Sequence, residues 1–312
     1  MENFLFSVQA TIPVFVVILA GWCLRRVNIL NDSFVNAADR FCFQVAIPIL
    51  LFQDISGTEM ADLLDWHFIG FCFMATTVCF GVIWLISRLV MKDKSLVGAF
   101  VQGSFRGSAA ILGIAFVTNM YGQGGMAPIM VAITVPLYNI YSVLVLTLEA
   151  NGESHKSWWQ VAVNIAKNHI IWGILAGLLF VWQDWHLPVI IDKSLDNFAV
   201  MATPLALLSI GAAFEGKKAL AKMKPTLWAT TIKLVLQPMV FLPVAVYFGF
   251  REQALIAILI MLAAPTTMTS YIMAKNMKND AVLTSSIVVT TMLISSITIT
   301  IWIFLLKSLA LI

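Results

Sequence analysis

The chain has 312 residues, of which 60% are hydrophobic and 11% charged, against about 45–50% and about 25% in soluble domains. At a mean hydropathy of +0.91, one globular core cannot enclose so much apolar surface, and part of the solvent must be lipid. This excludes a soluble enzyme, a nucleic-acid binder and a disordered chain, and the net charge of +3 brings no basic patch, since the 19 Lys and Arg are spread thinly.

A bilayer core of about 30 Å needs about 20 apolar residues per helix. Ten such stretches follow one another, at roughly 4–24, 33–54, 66–87, 96–118, 125–148, 159–182, 189–213, 225–249, 253–274 and 281–306. The first has only Glu2 and Asn3 ahead of it, with no basic start and no small-residue cleavage site, so it reads as a helix and not a signal peptide. Cys23, Cys42, Cys72 and Cys79 all lie inside these stretches and read as buried free thiols. No P-loop is present. The fold class is thus all-α integral membrane, with ten transmembrane helices.

The cations set the orientation. The loops after the odd-numbered stretches carry Arg25, Arg26, Arg88, Lys92, Lys94, Lys156, Lys217, Lys218, Lys222, Lys224, Lys275 and Lys278, and the opposite side only Lys193, Arg251 and Lys307. Positive loops stay in the cytoplasm, which puts both termini on the extracytoplasmic side of a multi-pass cell-membrane protein. For a bacterial chain this is the inner membrane. Trp66, Trp158, Trp159, Trp182 and Trp185 fall near predicted helix ends and read as the interfacial aromatic belt.

Half the chain repeats the other half. Asp39-Arg40-Phe41…Ala46-Ile47-Pro48 matches Asp196-Asn197-Phe198…Ala202-Thr203-Pro204, and Asn119-Met120 matches Asn276-Met277 at a spacing of 157. Five helices per copy is an odd number, so the second copy enters the membrane from the other side. This inverted repeat, 1–150 and 157–312, is a common plan of secondary transporters.

Broken helices carry the substrate site in such folds. Stretch 4 holds Gly103-Ser104-Phe105-Arg106-Gly107-Ser108 and Gly113, and stretch 9 holds Pro265-Thr266-Thr267. The repeat spacing sets Ser108 against Pro265, so one break is made with glycine and the other with proline. Gly173 and Gly177 have no polar company and read as close helix packing. Pro48, Pro204, Pro238 and Pro243 are expected to kink their helices.

Four cations remain inside predicted spans: Arg40, Arg106, Lys167 and Lys233. Buried charges are paired or functional. Arg40 is expected to pair with Asp39 or Asp196, and Lys167 to snorkel. Lys233 stays open between these readings. Arg106 lies in a break, far from either end of its stretch. A cation there, with helix N-termini pointing inward, favours a small organic anion, above all a carboxylate held in a two-pronged fork. The alternative for Arg106 is a structural cation closing onto backbone carbonyls. Asp39 and Asp196 occupy equivalent places and are candidates for proton coupling, while the breaks also offer oxygens for sodium. No metal site and no resident cofactor is expected.

The whole chain resembles the auxin efflux carrier family, whose bacterial members include dicarboxylate permeases. The likeness rests on Phe105-Arg106-Gly107-Ser108…Gly113, Pro136-Leu137-Tyr138-Asn139, Ala264-Pro265…Ser270-Tyr271…Ala274, Asp280 and Thr290-Thr291…Ser295. It implies a fold like that of bile-acid sodium symporters, in which helices 4 and 9 cross at their breaks. It implies a scaffold (1–55 with 157–215), a moving core (65–150 with 224–306) and elevator-like alternation. It also implies substrate near Ser108, Asn139, Pro265 and Thr266. Family members often have Asn at Ser108 and Pro at Ala115. A homodimer through the scaffold helices stays open.

The expectation is therefore a secondary transporter (permease) for a small organic anion. A passive uniporter or channel is second, although neither rings of like charge nor repeated filter loops are found. An intramembrane enzyme is third, since Ser104 or Ser108 with His169 is the sole conceivable serine pair.

Overall fold

The computed structural model describes residues 2–57, 65–109, 117, 120–121, 125–150, 159, 163, 165–214 and 216–312, with side chains from residue 12 onward. Ala115, Asn119, His155, Lys156 and Trp158, used in the sequence reading, lie outside the described residues.

Among the described residues every regular element is helical. The helices are α1 (Glu2–Arg26), α2 (Asp32–Ser56), α3 (Trp66–Val90), α4 (Val97–Phe105), α5 (Ala127–Leu148), α6 (His169–Trp182) and α7 (Val189–Ala212). After them come α8 (Gly216–Ala221), α9 (Met223–Tyr247), α10 (Glu252–Ala263), α11 (Thr269–Asn276) and α12 (Ala281–Ser308). Six of these, α2, α3, α5, α7, α9 and α12, are long and apolar enough to cross a membrane. Large apolar side chains such as Leu85, Leu89, Ile190, Trp182 and Phe304 stand exposed on helix surfaces, the pattern of a multi-pass membrane protein, whose outer faces meet lipid.

Short polar residues start the helices. Asn31 accepts from the Phe34 N–H at 2.8 Å, Asp65 from Phe68 at 3.0 Å, Asn168 from Ile170 at 3.0 Å and Asp280 from Leu283 at 2.7 Å. Each satisfies a backbone donor that has no partner within its own helix. In the loop before α4 the Ser95 hydroxyl and N–H both donate to Asp93, and the hydroxyl first of all holds that carboxyl below the usual carboxylate range. Gly249, at φ +88°, closes α9 in a conformation that costs other residues more.

Two prolines reshape their helices. Pro48 and Pro238 each follow a π-helical turn by two residues, at Cys42–Ala46 in α2 and Ile232–Leu236 in α9. A proline ring has no N–H and collides with the carbonyl four residues back. The wider turn relieves that collision and keeps the helix running.

Glycines let two helix pairs touch backbone to backbone. A Cβ on Gly173 of α6 would stand 2.3 Å from the Pro48 carbonyl oxygen of α2, and one on Gly177 would stand 3.0 Å from that of Phe52. The same holds between α1 and α7, where a Cβ on Gly21 would lie 2.4 Å from the Leu208 oxygen and one on Gly211 would lie 1.9 Å from that of Ile18.

Three readings need correction. Asp39 does not pair with its neighbour Arg40: it is buried and takes the Lys275 ammonium at 2.5 Å, while Arg40 is exposed. Adjacent helical residues point about 100° apart and do not face each other. Lys167 does not lie within a helix spanning 159–182 but ahead of the Asn168 cap and outside α6, where its exposure does not contradict snorkelling. Cys42, Cys72 and Cys79 are buried free thiols, but Cys23 is exposed.

Candidate functional site

α4 ends at Phe105, and Arg106 is extended at φ −79° and ψ 134°. α10 ends at Ala263, and Ala264 is extended at φ −62° and ψ 143°. The two ends meet. The Ser108 N–H donates to the Pro265 carbonyl at 2.8 Å, and the Thr266 hydroxyl donates to the Gly103 carbonyl at 2.7 Å. The Thr266 N–H is taken by the Thr291 hydroxyl of α12 at 3.1 Å. Each unwound stretch thus satisfies backbone groups of the other, as buried irregular backbone must.

The Arg106 side chain leaves this junction toward the N-terminus of α11. Its Nη2 donates to Thr269 Oγ1 at 2.8 Å, and its Nη1 reaches Met273 Sδ at 2.9 Å and Ser142 Oγ at 3.4 Å. Thr267 Oγ1 lies 2.9 Å from Thr269 Oγ1 and 3.1 Å from Ser270 Oγ. Arg106 is 4% exposed, its Nε has no hydrogen-bond partner, and no carboxylate pairs with it among the described residues. The result is one cation among neutral hydroxyls, at a helix N-terminus that adds positive character.

Lys233 serves the other side of the junction. Fully buried in the widened turn of α9, its Nζ donates at 3.2 Å to the carbonyl of Phe105, the last residue of α4, and at 3.2 Å to that of Met261, in the last turn of α10. Gln237, one turn on, donates to the Ser104 carbonyl at 2.6 Å, and the Tyr138 hydroxyl to that of Met261 at 2.8 Å. A Cβ on Gly107 would stand 2.9 Å from the Lys233 ammonium and 3.1 Å from the Ala264 oxygen. Closing onto backbone carbonyls, the alternative weighed for Arg106, falls to Lys233.

The other residues singled out in the sequence divide. Ser108, Pro265, Thr266 and Thr267 gather at the junction. Gly103 faces Ile287 of α12, whose side chain a Cβ would meet at 2.8 Å. Ser104 spends its hydroxyl on the Phe100 carbonyl of its own helix at 2.7 Å. Asn139 is buried on α5, one turn before Ser142. Its amide donates to the Val135 carbonyl at 2.8 Å, and its Oδ1 has no partner. Gly113 lies outside the described residues. Asp39 binds Lys275 on α11, whereas Asp196 is exposed and forms no ion pair among the described residues. The sequence reading missed Gln237, Tyr138, Thr291 and Thr269 as parts of this junction. Lys233 carried a signal, as a cation two turns inside an apolar stretch.

The profile of the family described as membrane transport protein matches residues 6–303. An "Uncharacterized transporter" of Methanothermobacter thermautotrophicus is 21% identical over 305 residues, which cover 96% of this chain and 98% of that protein. A "Putative malonate transporter" of Rhizobium meliloti is 22% identical over 304 residues, 95% of each chain. The "Lysosomal cholesterol signaling protein" of Mus musculus is 21% identical over 250 residues, covering 75% of this chain and 28% of that much longer protein. With six helices fit to span a membrane among the described residues and a family profile running over nearly its whole length, the chain belongs to the membrane transport protein family of auxin efflux carriers.

Proposed function

We infer that the chain is a secondary transporter that moves a small organic anion of the carboxylate class by elevator-like alternating access at the junction of α4 and α10–α11. The observation that carries this is Arg106: a buried guanidinium with an unpartnered Nε, no carboxylate partner among the described residues, and hydroxyls on Thr267, Thr269 and Ser142 around it. Burying an uncompensated cation is costly. A carboxylate ligand repays that cost and accepts the guanidinium's unused donors. Ser108, Asn139, Pro265 and Thr266 complete the proposed site. The relative named "Putative malonate transporter" supports the substrate class.

The proposed architecture is ten spans in two inverted units, 1–150 and 157–312, with both termini extracytoplasmic. The glycine contacts support it. Gly21 sits on Leu208 and Gly177 on Phe52: both members of one pair map onto the other at a spacing of 156, half the chain. In this reading α1, α2, α6 and α7 form the scaffold, and the remaining long helices form the moving core.

The test is binding of mono- and dicarboxylates, malonate among them, to purified protein, read as a thermal shift at several pH values. A ligand that binds the folded state raises its apparent stability. The expected result is a carboxylate-specific shift that Arg106→Ala removes. No shift with any anion, in folded protein, overturns the anion site.

A further inference from the structure

A helix end carries roughly half an elementary charge, negative at the C-terminus. α4 and α10 both bring their C-terminal ends to one point, so about one full negative charge accumulates in the protein interior. Facing it is one ammonium, that of Lys233, on the carbonyls of Phe105 and Met261. No carboxylate pairs with Lys233 among the described residues, so the two helix ends are its counter-charge. Its surroundings look built for it. The widened turn before Pro238 carries it, the Tyr138 ring lies 5.7 Å from it, and glycine at position 107 leaves it room.

In transporters with broken helices, unwound carbonyls and half-helix C-termini are the groups that hold the coupling cation. We propose that Lys233 is a tethered substitute for that cation: its ammonium neutralises both helix ends permanently, and the protein assembles its anion site without sodium. This rests on the transporter reading and deepens it. The junction divides into a cationic position filled by the chain itself and an anionic one, beside Arg106, left for substrate. Lys233 is a positioning residue, acting on substrate through the backbone of Phe105 to Gly107.

The test needs no substrate. Unfolding midpoints of the purified wild type and of Lys233→Ala, Lys233→Met and Lys233→Arg are measured in sodium, ammonium and choline chloride at equal ionic strength. The wild type is expected to melt at one temperature in all three salts. Lys233→Ala is expected to melt lower, by on the order of 5 °C or more, and to regain stability in sodium or ammonium but not in choline. Lys233→Arg, which keeps the charge, should lose less than Lys233→Met. A saturable, sodium-specific rise in the wild type overturns the proposal, even if no variant folds. So does a Lys233→Ala protein that is as stable as wild type, or one that no small cation restores. A protein that passes this test yet shows no carboxylate shift fails the anion reading alone.

Discussion

Buried Asp39 and half-buried Lys275 form an ion pair at 2.5 Å although 236 positions separate them. The Asn276 side chain reinforces the contact by donating to the Asp39 carbonyl at 3.4 Å. The pair ties α2 to the last turn of α11, and in the proposed division it joins scaffold to moving core. If the proposed elevator motion holds, a contact across that boundary breaks in each cycle. Asp39→Asn and Lys275→Met are each expected to lower turnover of whichever carboxylate the protein binds about tenfold or more. In a double-mutant cycle they should show a coupling of about 0.5–3 kcal/mol. Independent, additive losses would show that the pair does not act as a unit.

Arg106→Lys separates charge from geometry at the proposed site. Lysine keeps the positive charge but not the planar fork, and it has no counterpart to the bonds that Nη1 and Nη2 make to Ser142 and Thr269. Carboxylate affinity is expected to fall roughly tenfold in Arg106→Lys and below detection in Arg106→Ala. Calorimetric titration reads both. Equal affinity in all three proteins would remove Arg106 from the site.

Pro265→Ala tests the second break. Proline cannot continue α10, and its carbonyl is taken by the Ser108 N–H at 2.8 Å. Alanine allows the helix to extend and pull that carbonyl away. Turnover in proteoliposomes is expected to drop severalfold, with the protein still folded. Normal kinetics would mean that the Ser108 contact holds the break without proline.

Glycines on two helices make opposite predictions. Around Gly70 of α3 an added Cβ meets nothing within 4 Å, whereas on Gly173 it meets the Pro48 backbone at 2.3 Å. Gly70→Ala should be neutral or stabilising by up to about 1 kcal/mol. Gly173→Ala should destabilise by about 1–3 kcal/mol, since backbone has nowhere to yield. Detergent thermal melts of the two proteins settle the order.

Orientation is tested at Lys217, exposed at the start of α8. An impermeant amine reagent should reach it from the cytoplasmic side of inverted vesicles and not from intact cells. The reverse pattern would turn the whole topology over.

The positions of the interruptions were legible because glycine and proline act on their own backbone. Gly107 and Pro265 mark them without knowledge of any partner. Arg106 was legible as a buried charge for the same local reason. The partners of Lys233, Asp39 and Thr291 were not, because they are groups brought up by other helices: the Phe105 and Met261 carbonyls, the Lys275 ammonium and the Thr266 N–H. No spacing in the chain announces which helix end will stand open beside which side chain. Spacing misled at Asp39, where sequence adjacency to Arg40 suggested a pair that helix geometry forbids. The glycines of α6 were easier, because small residues one turn apart with no polar company have little to do but pack.

α12 runs for 28 residues, about 42 Å at 1.5 Å per residue, whereas a bilayer core is about 30 Å thick. So long a helix must lean over or carry its ends into the headgroups, and the angle it takes depends on the thickness of the surrounding membrane. Thr291, near its middle, holds the Thr266 N–H at the interruption before α11. A change in the lean of α12 would therefore be felt first at this hydroxyl, where the long helix touches the interrupted backbone.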